Sequence, residues 1–278
     1  MKLYVNNLKI LLILLLIIII NIFLSVYSFV GIKENFQNDN SIKILNLVLY
    51  SSDNGPYDKM KMITQQFYKK FKNVNTIYYK FTDDLKSDIE LRDNLLHIKG
   101  HESYIPGILE KTIKSFDYFK NDLHKYDYIV RSNISTIIRF DVLSEDLKIN
   151  PVDYGCSLCF GLENTETKTF SSGTSIILSS KVVKNIVQNK KMIDMNIIDD
   201  VSIGNFVLNN IPNVKLKPVL NSFENNGFYI VPNYENNEKI YELIENNDIV
   251  IFRNRNENRK NDAEQMKQIV ELLEKKYY

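Results

Sequence analysis

The chain has 278 residues, of which 44% are hydrophobic and 25% charged, and its formal net charge is +1. This length and composition fit one large or two small globular domains with a sizeable core. The near-zero charge argues against a nucleic-acid-binding protein that works through a broad basic face.

The N-terminal region is predicted to contain a membrane anchor. Residues 10–30 form an apolar run without a charged residue, about the ~20 residues that a helix needs to cross a bilayer. Lys2 and Lys9 precede the run, so the positive-inside rule predicts a cytosolic tail at residues 1–9. The rest of the chain is then expected in a lumenal, Golgi- or ER-type compartment.

A cleaved signal peptide is the alternative interpretation of the same run, with cleavage near Tyr27 or Ser28. The run is long for a signal peptide and the small-residue cleavage pattern is poorly formed, so we favour the uncleaved anchor. Residues 31–41 are polar and are predicted to form a short stem before the domain.

Hydrophobic periodicity in residues 42–132 predicts strands that alternate with helices. The predicted strands are 42–52, 75–81, 94–100 and 126–132, and the predicted helices are 57–71 and 106–119. This order is typical of a mostly parallel sheet with covering helices, an α/β fold.

The second half of the chain continues the same alternation. The predicted elements are a strand at 154–160, a strand that passes into a helix over 172–190, a helix at 200–210, a strand at 247–252 and a closing helix at 261–276. No repeat or linker divides residues 42–278, so one domain is expected.

Cys156 and Cys159 form a C-x-x-C pair, which is compatible with redox activity or with a disulfide. Residues three apart on one strand point to opposite faces. With 154–160 as a continuous strand, we therefore expect two buried structural thiols. The chain has no further cysteine, which argues against a zinc site.

The strand at 126–132 runs into a polar stretch that contains Arg131, Ser132 and Asn133. Ligands bind at the carboxyl ends of strands in open α/β sheets, so this corner is a candidate binding site. The alternative is the polar lip of a surface loop.

Four motifs, in order along the chain, resemble those of the β-1,3-galactosyltransferase and Fringe superfamily. Residues 101–119 resemble its D-S-Y-x-N-L-T-x-K-T segment, and residues 126–133 stand where that family has the strand that ends in D-x-D. Residues 170–180 resemble its S-G-x-G-Y-x-x-S segment, and residues 198–213 its D-D-V-x-x-G helix start. The matching residues are Glu102, Ser103, Tyr104, Leu109, Lys111, Thr112, Asp199, Asp200, Val201 and Gly204.

The resemblance implies a glycosyltransferase A fold, with a Rossmann-like mixed sheet that binds a nucleotide sugar. It implies transfer of a hexose-type sugar from a UDP-sugar, with inversion, to a glycan or protein acceptor, as in protein glycosylation. The family's catalytic base lies in the acidic pair, so Asp200 is the favoured base and Asp199 the second choice. The alternative is that both aspartates cap a helix that begins at Val201.

The chain departs from the family at the positions of the metal ligands. The D-x-D corner reads Arg131-Ser132-Asn133 without a carboxylate, and residues 249–259 lack the family's later histidine. The divalent cation that the family uses, manganese or magnesium, therefore lacks its usual ligands here. Either Arg131, with Arg253 or Arg255, replaces the metal, or the domain binds sugars or partners without catalysis.

Other residues are assigned to the donor site with a structural alternative for each. Asp53 follows the first strand, where a nucleotide would lie, but its Asp-Asn-Gly-Pro turn needs no ligand. Lys111 faces the donor or is an exposed helix position. Gly173 allows a close backbone approach or forms a tight turn.

Two further alternatives stay open. Arg253, Arg255 and Arg259 form a solvated basic loop unless they take the metal's place. An anchored interaction protein with an unrelated α/β domain is the alternative from a different functional class.

Overall fold

The computed structural model describes residues 41–51, 55–161, 169–231 and 237–278. Ile42–Tyr278 form one compact unit. The predicted tail at 1–9, the anchor at 10–30, nearly all of the stem and Asp53 lie outside the described residues. Within the described ranges, no helix has the length and apolar character needed to span a membrane.

Strands and helices alternate along the described residues. The helices are α1 (Pro56–Tyr68), α2 (Gly107–Tyr118), α3 (Phe140–Ile149), α4 (Ser180–Gln188), α5 (Asp199–Asn210), α6 (Asn237–Glu245) and α7 (Arg259–Tyr277). The strands are β1 (Ile44–Leu49), β2 (Val74–Thr82), β3 (Ile89–Arg92), β4 (Leu95–Lys99), β5 (Tyr128–Asn133), β6 (Thr136–Ile138), β7 (Tyr154–Cys156), β8 (Cys159–Phe160), β9 (Phe170–Ser171), β10 (Ser175–Ser179), β11 (Leu216–Pro218), β12 (Phe228–Val231) and β13 (Ile251–Asn254).

A mixed sheet of eight strands, in the order β11-β7-β10-β5-β1-β2-β4-β3, forms the centre of this unit. β1 pairs in parallel with β2 and β5, and β10 is antiparallel to both β5 and β7. All six residues of β1 are buried, as expected for a strand that is covered on both faces. The prediction of an α/β fold with a mixed sheet and covering helices is confirmed at this level.

The order of the strands makes the boundary between β1 and β5 a topological switch point. From β1 the chain builds outward through β2 to β4, and it then returns to add β5 on the other side of β1. Ligands bind at such a switch point, outside the carboxyl ends of the strands. Tyr50 and Ser51 follow β1 at this edge, and Arg131 to Asn133 end β5.

A second sheet, in the order β12-β13-β6, adjoins the same corner. Only Ile134 and Ser135 separate β5 in the large sheet from β6 in the small one. β13 pairs antiparallel with β6 and places Arg253 opposite Thr136. The corner after β5 is therefore shared by the two sheets.

The prediction of one strand at 154–160 is wrong. β7 ends at Cys156, and β8 begins at Cys159 after a bend at Ser157 and Leu158. The bend brings the two Cα atoms to 5.7 Å and the cysteines form a disulfide. The expectation of two free buried thiols is therefore also wrong, because it assumed a continuous strand.

Candidate functional site

Four residues from separate parts of the chain meet at the carboxyl edge of the large sheet. They are Arg131 near the end of β5, Gly173 just before β10, and Asp199 and Asp200 in the first turn of α5. We call these four residues the Arg131 network. The sequence singled out each of them, and the structure brings them into contact.

Arg131 is the buried centre of the network. Its side chain is 2% exposed, and Nη2 lies 2.5 Å from Oδ2 of Asp199, whose side chain is 6% exposed. Nη1 donates a hydrogen bond to the carbonyl oxygen of Gly173. Burial opposes the charge of Arg131, but Asp199 and Tyr79 outweigh it and the pKa of the guanidinium is raised. Arg131 is therefore a charged group that its own chain already neutralises.

Asp200 is the half-buried carboxylate of the network. Oδ2 accepts a 2.9 Å hydrogen bond from the backbone N–H of Gly173, and Oδ1 accepts one of 2.9 Å from the N–H of Val201. Burial and then the negative charge of Asp199 raise the pKa of Asp200, against the opposing effects of these two bonds and of Arg131. A held carboxylate with a raised pKa is suited to accept a proton in general base catalysis.

The two aspartates do not precede and cap a helix that begins at Val201. α5 begins at Asp199 rather than at Val201, and its N-cap is Ile198, which makes no side-chain cap bond. Both aspartates lie inside the first turn, where the positive end of the helix dipole favours a carboxylate. Only Asp200 bonds to a first-turn amide, and its second oxygen bonds to Gly173 outside the helix.

Two glycines allow the backbone segments of the site to approach each other. A Cβ atom at Gly173 would lie 3.1 Å from Nη1 of Arg131 and 3.2 Å from Oδ2 of Asp200. A Cβ at Gly204 of α5 would lie only 2.7 Å from Cβ of Phe170, so α5 packs closely against β9. The close approach fixes the start of α5 beside the turn that contains Gly173.

Lys111 forms a second buried group at the same edge of the sheet. Its Nζ donates to the carbonyl oxygen of Tyr50 at 3.1 Å, to Oγ of Ser51 at 3.2 Å and to Oε2 of Glu102 at 2.5 Å. Burial lowers the pKa of Lys111, and Glu102 opposes this decrease. The expectation of an exposed helix position is wrong, because the Lys111 side chain is 1% exposed.

Ser132 and Asn133 do not join the Arg131 network. Ser132 is buried on the other face of β5, where Oγ donates to Oδ1 of Asn46 at 2.8 Å. Asn133 is half-buried at the strand end, and its Oδ1 accepts from the N–H of Ser135 at 3.3 Å. The donor-binding roles assigned to Lys111, Arg131, Ser132, Asn133 and Gly173 stay predictions, as does that of Asp53.

Tyr79 is a neighbour of Arg131 that the sequence does not reveal. The Tyr79 hydroxyl lies 2.9 Å from Oγ1 of Thr112 and is fully buried, and burial raises its pKa while Arg131 opposes the increase. Alternation along β2 shows that Tyr78 and Tyr79 face opposite sides. The pairing of Tyr79 with Leu49 of β1, which decides the side, is not readable from the sequence.

The corner after β5 does not fit a divalent cation. Mg²⁺ and Mn²⁺ prefer carboxylate, carbonyl and water oxygens, whereas Arg131 brings a positive charge and uses Asp199 as its own partner. In the part of the chain that the structure describes, no group of three or more His, Cys, Asp or Glu side chains could hold a metal ion.

A cavity of about 420 Å³ lies at the opposite edge of the large sheet. Its lining includes Asp127 and Tyr128 at the start of β5, and Lys215 and Lys217 near β11. These are the amino ends of parallel strands, away from the switch point. The cavity is therefore separate from the Arg131 network.

No protein-family model matches the chain, and no curated protein matches its sequence. Among solved structures, one similar chain is that of a glycosyltransferase involved in the glycosylation of the major capsid of PBCV-1. The two chains are 10% identical, the match covers 81% of this chain and 98% of that chain, and the TM-score is 0.46. Values of this size do not establish a common fold or activity, so the functional argument rests on this chain's own residues.

Proposed function

We propose that residues 42–278 form a glycosyltransferase A domain. It transfers a hexose-type sugar from a nucleotide sugar, a UDP-sugar, to a hydroxyl group of a glycan or protein acceptor, with inversion. Asp200 is the catalytic base of this reaction. The ordered motifs of the sequence support the family, and the switch point of the sheet supports a nucleotide site at its carboxyl edge.

The state of Asp200 carries the proposal. Its carboxylate is half-buried, has a raised pKa and is held by two backbone N–H groups at the edge where a ligand would bind. In the reaction the acceptor hydroxyl gives its proton to Asp200 while its oxygen attacks the anomeric carbon. The bond from that carbon to the diphosphate oxygen breaks, and the nucleoside diphosphate leaves with the electron pair.

Arg131 and Asp199 are positioning residues in this scheme. Arg131 binds the carbonyl oxygen of Gly173, and Asp200 binds the N–H of the same glycine, so the turn and the base are held together. Asp199 neutralises Arg131 and raises the pKa of Asp200. The pair thus orients the base and adjusts its affinity for the proton.

The test is a screen of the full chain, purified in detergent, against nucleotide sugars with manganese and with a chelator. We expect hydrolysis or transfer of one donor, and we expect Asp200→Asn to abolish it while donor binding is kept. Asp88→Asn, an exposed position just before β3, is the matched control and should retain the activity. Absence of turnover under every metal condition would reject the enzyme.

The same screen addresses the non-catalytic alternative. The mutual neutralisation of Arg131 and Asp199 is the observation that favours a domain that binds sugars or partners without catalysis. Saturable binding of a nucleotide sugar without turnover would support that domain. Absence of both binding and turnover would favour an interaction protein of unrelated α/β fold.

We also propose that the chain is a single-pass membrane protein with residues 42–278 in the lumen. The apolar run at 10–30 and the lysines before it support this orientation. The Cys156–Cys159 disulfide adds support, because disulfides persist in oxidising compartments and are rare in the cytosol.

A further inference from the structure

Arg253 differs from its neighbours Arg131 and Arg259 in having no carboxylate partner. In the described part of the chain, Arg131 pairs with Asp199 and Arg259 pairs with Asp262, whereas Arg253 forms no ion pair. Its side chain is half-buried on β13. The solvated basic loop expected from the sequence is therefore wrong for Arg253, although Arg255 is exposed.

Arg253 is tied to the corner after β5. Its Nη1 donates a hydrogen bond to Oγ of Ser135. The Ser135 hydroxyl in turn donates to Oδ1 of Asn133 at 3.4 Å. The adjacent backbone N–H of Asn254 donates to the carbonyl oxygen of Ser135 at 2.9 Å. We call Asn133, Ser135, Thr136 and Arg253 the Arg253 corner. Asn133, its member on β5, is the second residue after Arg131 and stands in the corner where the resembled family has its D-x-D motif.

The local charge around Arg253 is unbalanced. The pKa of Arg253 is lowered to about 10, first by burial and then by the positive charge of Arg259. Asp262 opposes these effects, but Arg131 and Arg255 add to them. A partly desolvated cation among like charges is destabilised until an anion binds beside it.

Asp262 cannot serve as that anion, because its oxygens are already in use. Oδ1 accepts from the backbone N–H and from Nδ2 of Asn256, at 2.7 Å each, and Oδ2 accepts from Arg259. Asp262 is fully buried and fixed in this position. Among the described residues no carboxylate pairs with Arg253, and a bound anionic ligand would supply the missing negative charge.

The Arg253 corner also contains unused hydrogen-bonding capacity. Thr136 stands directly opposite Arg253 in the register of β6 and β13, so the two side chains share a face. The Thr136 hydroxyl is buried and has no hydrogen-bond partner within the described residues. A guanidinium and a hydroxyl on one face form a suitable set of donors for phosphate oxygens.

We propose that Arg253 binds the diphosphate of the nucleotide sugar directly, in the place of a divalent cation. This inference rests on the proposed function and assigns the leaving group to a site that the Arg131 network does not contain. Arg253 stabilises the negative charge that develops on the diphosphate as the bond to the sugar breaks. Arg131, buried and neutralised by Asp199, is left to position the base.

The experiment measures binding of UDP and of inorganic pyrophosphate to the full chain by calorimetry, in excess chelator and in manganese. We expect both ligands to bind without metal. Arg253→Met should weaken both by about 10- to 100-fold, the range for loss of a charge-assisted hydrogen bond. The affinity of Arg253→Lys for both ligands should lie between those of the wild type and Arg253→Met. Arg255→Met, which removes the same charge from an exposed neighbour, should stay within about twofold of the wild type.

Thermal unfolding separates loss of the site from loss of the fold. Without ligand, Arg253→Met should unfold at the same or a higher temperature, because it removes an unpaired cation. Pyrophosphate should raise the unfolding temperature of the wild type but not that of Arg253→Met. Equal binding by the two proteins, or binding by the wild type that requires manganese, would overturn the assignment.

The outcome also separates this inference from the proposed function. Turnover of a nucleotide sugar that is insensitive to Arg253→Met would leave the transferase in place and reject the role of Arg253. Metal-free pyrophosphate binding that depends on Arg253, without turnover of any donor, would keep the anion site and reject the enzyme.

Discussion

The side chains of Arg131 and Asp199 are 2% and 6% exposed, so each depends on the other for charge compensation. Replacing a buried ion pair by apolar groups is often neutral, whereas removing one partner leaves an uncompensated charge. The difference between removing one partner and replacing both can be measured by unfolding the domain. This measurement does not require knowledge of the substrate.

We expect Asp199→Ala to lower the free energy of unfolding by about 3–5 kcal/mol, because it leaves the buried Arg131 guanidinium without its carboxylate partner. The double variant Arg131→Met/Asp199→Leu should recover most of this loss. Urea unfolding of the three proteins measures both effects. A cost below about 1 kcal/mol for Asp199→Ala would show that the pair is solvated.

The pKa of Asp200 predicts the pH dependence of turnover. Asp200 accepts a proton only when ionised, so its raised pKa moves the acidic limb of kcat/KM to a higher pH than an ordinary aspartate would give. Asp199→Asn removes the negative charge that raises this pKa and should shift the limb to lower pH. A limb that stays in place in Asp199→Asn would contradict the coupling between the two carboxylates.

The same shift has a consequence for stability. The folded state binds the Asp200 proton more tightly than the unfolded chain does, so this group destabilises the fold above its pKa. Its contribution becomes less unfavourable as the pH falls through the raised value. Asp200→Asn removes this unfavourable charge, but its amide nitrogen cannot accept one of the two backbone hydrogen bonds from Gly173 and Val201, so the two effects on stability oppose each other.

Much of the residue-level site was accessible from the sequence, but the partners were not. Motif order identified Arg131, Gly173, Asp199 and Asp200, because each belongs to a local pattern. The pairing of Arg131 with Asp199 joins residues on different elements, and no local pattern predicts it. For Arg253 the sequence leaves open a solvated loop or replacement of the metal, because its burial depends on β6, a strand that no sequence pattern predicts.

At the scale of elements, long periodic segments were predicted well and short ones were missed. α1, α2, α4, α5 and α7 overlap the predicted helices, and β1, β2, β4 and β5 overlap the predicted strands. Five of these elements extend beyond the predicted ends, namely α1, α5, α7, β2 and β5. No sequence pattern predicts β3, β6, β9, β11, β12, α3 or α6. The missed strands have two to four residues, too few to establish a period of two.

The bend between β7 and β8 yields a prediction at the same scale. Replacing both Cys156 and Cys159 by Ala should lower the free energy of unfolding by about 2 kcal/mol, since the disulfide closes a very short loop. Urea unfolding with and without a reductant measures this effect in the wild type. The double variant is the control and should not respond to the reductant.

At the scale of the whole molecule, the sheet order explains why distant segments meet. β1 and β5 are far apart in the chain but are neighbours in the sheet, where Ile44 pairs with Tyr128. Just before these two residues, the N–H of Lys43 donates to Asp127, which is 84 residues further along the chain. The sequence predicted strands but not their order, because order is set by which apolar faces the helices cover. The switch point, and hence the location of the site, emerges only with the assembled sheet.

The proposed topology can be tested with glycosylation sites. Asn133-Ile134-Ser135 is a sequon, but Asn133 is half-buried and Ser135 buried, so we expect it to stay unmodified. Lys191→Thr creates a sequon at the exposed Asn189 and should add one N-linked glycan in secretory cells. The glycan is detected by a shift in mass that a glycosidase reverses. No glycan on this variant would contradict the lumenal orientation.

The two-sheet corner also sets the order in which the site can be completed during synthesis. Ser135 and Arg253 are 118 residues apart in the chain, and the strand that contains Arg253 must pair with β6 before the two can meet. A nascent chain that has already made β1, β5 and α5 still lacks the residue assigned to the diphosphate. With the proposed role of Arg253, we expect donor binding only from chains translated beyond Arg253, and none from a product that terminates before it.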